Sequence, residues 1–194
     1  MEQVSKKIKL QIESDNILFF DLDGTLVDTD YANFLSYKQA IESVIKSNFN
    51  IEYNFKQRFN RSLLKDLMPN LTETELKMIV AEKEKCYEDF LPKTKLNKEV
   101  VKVLCKYFKT NKTVLVTNCR EDRAHAILNY HGLTGRFSDL FFRQFDDDSY
   151  KINKFQNAIS HLRVSPELVI AFENEEAEIT DARKAGIKFI NLQI

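Results

Sequence analysis

The amino-acid sequence predicts an α/β fold, a doubly wound parallel sheet with a helical segment inserted after its first strand. Three observations lead there. Short apolar runs rich in β-formers, at residues 17–20, 113–117, 168–172 and 187–192, alternate with stretches of helical periodicity. That alternation produces parallel strands joined by right-handed crossovers. A long helical block separates the first run from the second. The first run also leads into Asp21 and Asp23, separated by one residue and followed by Gly24. In an extended chain such a pair points to one side, at the carboxyl end of the strand, where open α/β sheets bind ligands.

Residues 6–13 alternate apolar and polar side chains and read as an exposed edge strand or a tail. After the first strand, Tyr31, Phe34, Leu35, Ile41, Val44 and Ile45 recur at helical spacing. Residues 48–60 are irregular and aromatic, and residues 62–68 form a short helix ended by Pro69. Thr72 and Glu75 make a capping box. The helix it opens carries Leu76, Ile79, Val80, Tyr87 and Phe90 on one face, and Pro92 stops it. Asn97 caps the next helix, which turns Val100, Val101, Leu104, Tyr107 and Phe108 inward. Strand 113–117 follows, then helix 121–130 with Gly132 at its C-cap. The remaining order is strand 140–144, helix 153–162, strand 168–172, helix 177–185 and strand 187–192. This divides the chain into an α/β core, residues 1–28 and 93–194, and a helical insert, residues 29–92.

Composition narrows the function. Twenty-nine basic residues balance 29 acidic ones, so no net field draws in nucleic acid or anionic membrane. Fifteen phenylalanines and 43% hydrophobic residues support a sizeable core, and only 4 glycines and 3 prolines argue against low complexity. Cys86, Cys105 and Cys119 are widely spaced, with no Cys-x-x-Cys and no His pair at zinc spacing. Reduced thiols in a cytoplasm are the expected state, and Cys119 is the one close to a candidate site residue. Residues 1–16 are too charged for a signal peptide, and no apolar run approaches a membrane span.

The chemistry concentrates at strand ends. Asp21 and Asp23 repel each other, and such a pair usually persists because a divalent cation neutralises it. Gly24 lets the backbone turn sharply beside a ligand. Thr117 and Asn118 end the second core strand, where a Thr by itself more commonly caps the following helix. Arg120 and Arg123 lie nearby and could help with substrate, although solvated residues at a helix start are the commoner case. Asp146, Asp147 and Asp148 read as a solvated loop.

The run Phe20-Asp21-Leu22-Asp23-Gly24-Thr25-Leu26 resembles the first motif of the haloacid dehalogenase superfamily. The resemblance implies that Asp21 attacks a phosphoryl group to form an aspartyl phosphate, with Asp23 as general acid/base. An acid at position 23 points to the phosphatase and phosphomutase branch. Val116-Thr117-Asn118 is similar to the second motif, which implies phosphate binding by Thr117 and Asn118. Lys151 and Lys154 both stand where the third-motif lysine falls, and the helix start favours Lys154. Phe172-Glu173-Asn174-Glu175, with Ala185-Gly186 twelve residues on, aligns with the fourth motif.

There the sequence departs from the family, because Asn174 occupies the position of a metal-binding Asp. Asn brings an oxygen but no charge, while Glu173 remains and Glu178 matches the second acid of a variant motif. The resemblance also implies that the helical insert is a cap that closes over the site. It therefore predicts a Mg²⁺-dependent phosphatase acting on a small phosphorylated metabolite. Asp21, Asp23, Glu173 and Asn174 are its candidate metal ligands, and Thr117, Asn118 and Lys154 hold the phosphate. A phosphomutase of the same fold, or a binding protein that lost the metal, are the alternatives. No nucleic-acid or membrane partner is expected.

Overall fold

A computed structural model of the chain describes residues 12–45, 51–144 and 152–191. The strands, in chain order, are β1 (Ile17–Phe20), β2 (Val27–Asp28), β3 (Lys95–Leu96), β4 (Lys112–Val116), β5 (Asp139–Phe141), β6 (Val169–Phe172) and β7 (Phe189–Asn191). The α-helices are α1 (Asp30–Ile45), α2 (Arg61–Leu67), α3 (Glu73–Cys86), α4 (Lys98–Tyr107), α5 (Glu121–Tyr130), α6 (Lys154–Leu162) and α7 (Glu176–Lys184). Five strands form one parallel sheet in the order β5-β4-β1-β6-β7.

All four side chains of β1 are buried, so this strand needs a packed layer on each face, and it lies at the centre of the sheet. Its period-2 alternation assigns those layers. Leu18 and Phe20 share a cluster with Val100 and Leu104 of α4 and Ala124, Ile127 and Leu128 of α5. Ile17 and Phe19 face Phe155 and Ala158 of α6 and Ala182 of α7. Helices thus cover both faces, as a doubly wound sheet requires. Phe20 lies opposite Leu115 and Phe172, and its ring stacks on Phe172 with centroids 4.6 Å apart. The register brings the ends of β1, β4 and β6 level, so the residues that follow them emerge together.

The helices after β1 have a core of their own. Phe34, Tyr37 and Ile41 of α1 pack with Leu64 of α2 and Leu76 and Ile79 of α3. The capping box at Thr72 and Glu75 is present, with both reciprocal hydrogen bonds. The chain enters and leaves this segment through β2 and β3, an antiparallel pair with two residues on each side. Runs that short carry no periodicity, and neither strand stands out in the sequence.

Some boundaries differ from the sequence expectation. Pro92 does not end the helix before it; the chain tightens into a 3₁₀ turn, Tyr87–Lys93, that includes the proline. A proline's fixed φ suits such a turn and its missing N–H costs little there. The strand expected at 140–144 is Asp139–Phe141, because the Arg143 N–H leaves the ladder for the Cys119 carbonyl. The edge strand expected at 6–13 falls mostly outside the described residues, as do Asp146, Asp147, Asp148 and Lys151. Among the described residues no helix is long and apolar enough to cross a membrane. Cys86, Cys105 and Cys119 are all free thiols.

Phe20 is fully buried at the middle of the sheet, so Phe20→Ala should cost about 3–5 kcal/mol of stability. Urea denaturation with an unchanged slope would measure this; a loss below about 1 kcal/mol would contradict the packing described.

Candidate active site

The site is built around one ammonium group. Lys154 is the first residue of α6, set there by Asn153, whose side chain accepts from the N–H groups of Phe155 and Gln156. Its side chain is 3% exposed and donates to Asp21 Oδ1 at 2.8 Å and to Glu173 Oε2 at 2.7 Å. Glu178 Oε2 stands 3.5 Å from the same nitrogen. Three carboxylates from the ends of β1 and β6 and from α7 therefore surround one cation. Burial alone would lower the lysine pKa, but the carboxylates outweigh it and hold the group above its usual range.

Asp21 bears the opposite strain. Burial, offset in part by Lys154 and reinforced by Glu173 and Asp23, pushes its carboxyl up to about 7. Asp23 lies within a sharp turn closed by the N–H groups of Leu26 and Val27, which both donate to the Leu22 carbonyl. Its carboxylate accepts from the Thr29 hydroxyl and pairs with Arg58 at 3.4 Å and Arg123 at 3.6 Å. Burial opposes its ionisation, yet the two guanidinium groups and the hydroxyl hold it well below the usual carboxylate range. Two acids two residues apart thus have opposite proton affinities, an arrangement suited to splitting nucleophile and acid/base roles.

Asp21, Asp23, Thr117, Asn118, Lys154 and Glu173 all line one cavity of about 190 Å³. The Thr117 N–H is spent on the Phe141 carbonyl, and its hydroxyl oxygen accepts from the Cys119 N–H. The hydroxyl proton is its remaining donor. The Asn118 amide donates to Glu178 at 2.9 Å. Glu173 also receives the N–H groups of Asn174 and Glu175, at 2.9 and 3.0 Å.

The Asn174 side chain points away from this cluster. Its Oδ1 accepts from the Thr25 hydroxyl at 2.9 Å, and its amide nitrogen lies over Gly24. Gly24 has φ +82°, and a Cβ there would come within 2.5 Å of that nitrogen, so both backbone and contact require glycine.

Sequence reasoning missed Arg58 and left Arg123 open. Arg123 is not a solvated helix-start residue; its side chain is 14% exposed and bonds Asp23, Glu84 and the Cys119 sulfur. Arg120 does remain solvated, paired with Asp122. Arg58 comes from the irregular stretch before α2, where no local pattern marks it. The Cys119 thiol is pushed up to about 12, chiefly by burial, and stays protonated.

The family model of the haloacid dehalogenase-like hydrolases matches residues 18–192, nearly the whole chain. The chain belongs to that family. No curated protein matches it. Among solved structures, a haloacid dehalogenase-like hydrolase from Streptococcus pneumoniae is 17% identical with a TM-score of 0.71, covering 91% of this chain and 83% of its own. A predicted phosphoglycolate phosphatase from Haemophilus somnus is 20% identical with a TM-score of 0.72, covering 91% and 84%. A candidate β-phosphoglucomutase from Thermotoga maritima is 24% identical with a TM-score of 0.63, covering 90% and 83%. At these identities the likeness establishes the shared haloacid dehalogenase fold.

Among the described residues no three His, Cys, Asp or Glu side chains form a ready metal cage; Asp21, Glu173 and Glu178 meet at the Lys154 ammonium instead. Three carboxylates against one ammonium nevertheless leave an excess of buried negative charge. A donor set of that kind fits a hard divalent cation.

The raised Asp21 pKa makes a pH prediction. The folded state holds this proton from the unfolded value near ~4 up to about 7, so the stabilisation it gives below that window is lost as pH rises through it. Without added metal, Asp21→Asn should gain stability relative to the wild type across the same window. Thermal melts of both proteins from about pH 4 to 8 would test this, and a constant difference between them would count against the shift.

Proposed function

We propose that this chain is a phosphatase that hydrolyses a small phosphate ester through an aspartyl phosphate on Asp21. The observation that carries the reading is a buried carboxylate at the end of the central strand. It lies beside the Lys154 ammonium and in one cavity with Asp23. Asp21 would form the new O–P bond while the ester oxygen leaves with a proton from Asp23. Water, losing a proton to Asp23, would then attack phosphorus and release phosphate and the free Asp21 carboxylate. Lys154, the Thr117 hydroxyl and the Asn118 amide would hold the phosphoryl oxygens.

With Arg58 and Arg123 against it, Asp23 is set as the base. To act first as an acid it must take up a proton as those guanidinium groups turn toward a bound anion.

Mg²⁺ would neutralise the phosphate against the acidic cluster. Asp21, the Asp23 carbonyl and Glu173 are the residues we propose to hold it, with Asn174 contributing if its side chain turns from Thr25. Residues 29–92 would act as a cap over the residues 1–28 and 93–194 core. Arg58 already reaches from this segment to Asp23. The substrate is proposed to be a phosphorylated metabolite of the cytoplasm. The neutral Asn174, bonded to Thr25, favours one second reading, a binding protein with impaired turnover.

Asp21→Asn should lower phosphate release at least about 10³-fold with the fold intact, since the nucleophile is lost. Retained activity would rule out the covalent route. Asp23→Asn should slow an alkyl phosphate about 10²–10⁴-fold and an aryl phosphate less, because a good leaving group hardly needs a proton. Equal losses would remove Asp23 from the acid role, and product analysis on a hexose phosphate would separate a hydrolase from a mutase.

Asn174→Asp keeps an acceptor for the Thr25 hydroxyl and adds a charge, so it should tighten Mg²⁺ about tenfold by calorimetry. Identical Mg²⁺ affinities in the two proteins would exclude residue 174 as a ligand.

A further inference from the structure

A second cavity, of about 320 Å³, adjoins the first and shares Arg58, Asn118 and Arg123 with it. Its wall is strongly cationic. Arg58, Arg61, Lys83, Arg120, Arg123 and Arg143 line it, against the single carboxylate of Glu84. That carboxylate is already shared, 3.2 Å from Lys83 and 3.2 Å from Arg123. Arg58 is answered by Asp23 and Asp30, and Arg120 by Asp122. Among the described residues Arg61 has no such pair, so the wall keeps positive charge that its own acids do not offset.

Lys83 makes the imbalance costly. Its side chain is 3% exposed, and its ammonium lies over the rings of Tyr37 and Tyr87, 5.4 and 5.0 Å from their centroids. Burial, together with the nearby Arg123, pulls its pKa down to about 8. A buried cation beside further cations is stabilised when an anion joins it. The guanidinium groups lining the cavity match carboxylate or phosphate oxygens in pairs.

We propose that this basic cavity takes a second anionic group of the substrate, a carboxylate or a phosphate, while the first cavity takes the phosphoryl group that is transferred. The substrate is then a phosphate ester of a small acid, or a compact bisphosphate. The placing of the transferred group rests on the phosphatase reading; the charge of the second cavity does not.

The test is titration calorimetry in Mg²⁺ buffer with three non-hydrolysable ligands: propylphosphonate, 3-phosphonopropionate and 1,3-propanediphosphonate. A charge-assisted contact is expected to bring roughly tenfold or more in affinity. The wild type should therefore bind at least one of the two doubly charged ligands about tenfold more tightly than propylphosphonate, and which one identifies carboxylate or phosphate. In Arg61→Gln that advantage should shrink severalfold.

Equal binding of all three by the wild type, or no binding, overturns the proposal. An undiminished advantage in Arg61→Gln also overturns it, by locating the second anion elsewhere. Phosphate release by the wild type from phosphate esters of small acids and from compact bisphosphates is measured separately. Its absence, alongside a preference for the doubly charged ligands, would sink the phosphatase reading and leave the anion cavity standing.

Discussion

The contact between Lys154 and Asp21, deep at the end of the central strand, is the constraint on which the site depends. Three buried carboxylates cannot share so small a volume without a cation, and the helix that carries Lys154 packs on the face of the sheet bearing Phe19. Glu173, reached by the same ammonium and by two backbone N–H groups, then sets the course of the chain beyond β6. Removing the cation would leave uncompensated buried charge, which costs far more than an exposed ion pair is worth.

Much of this order was legible in the sequence because it depends on short-range rules. The buried run at residues 17–20, the capping residues Thr72 and Asn97, Gly24 after the first strand and Gly132 after α5 all appear where local physics puts them. The resemblance of short motifs points to Asp21, Asp23, Thr117, Lys154 and Glu173, and the parallel register brings them to one cavity. What escaped was either too short or too distant. The pair formed by β2 and β3 has two residues on each side, below any periodicity. Arg58 and Arg123 meet Asp23 only after residues far apart in the chain are folded together, and nothing local distinguishes a buried arginine from a solvated one. The direction of the Asn174 side chain is likewise set by Thr25 and Gly24, 149 and 150 positions earlier in the chain.

The two halves of the site solve opposite electrostatic problems. Around Asp21 there is too much negative charge, and a single lysine is shared among its acids. Around Asp23 there is positive charge to spare, and it continues into the neighbouring cavity through Arg123. A phosphate ester lying across that boundary would bring anionic oxygens to the basic side, while a cation would balance the acidic one.

The reach of Arg58 to Asp23 also ties two events together. Arg58 belongs to the segment that leaves and re-enters the chain through β2 and β3, whereas Asp23 belongs to the loop after β1. When this guanidinium is near, Asp23 binds a proton less tightly. Linkage makes the relation reciprocal: a proton on Asp23 weakens the hold of the helical segment by the same free energy. Any displacement of this guanidinium would therefore be felt on the Asp23 carboxylate, and any proton placed there would be felt at Arg58.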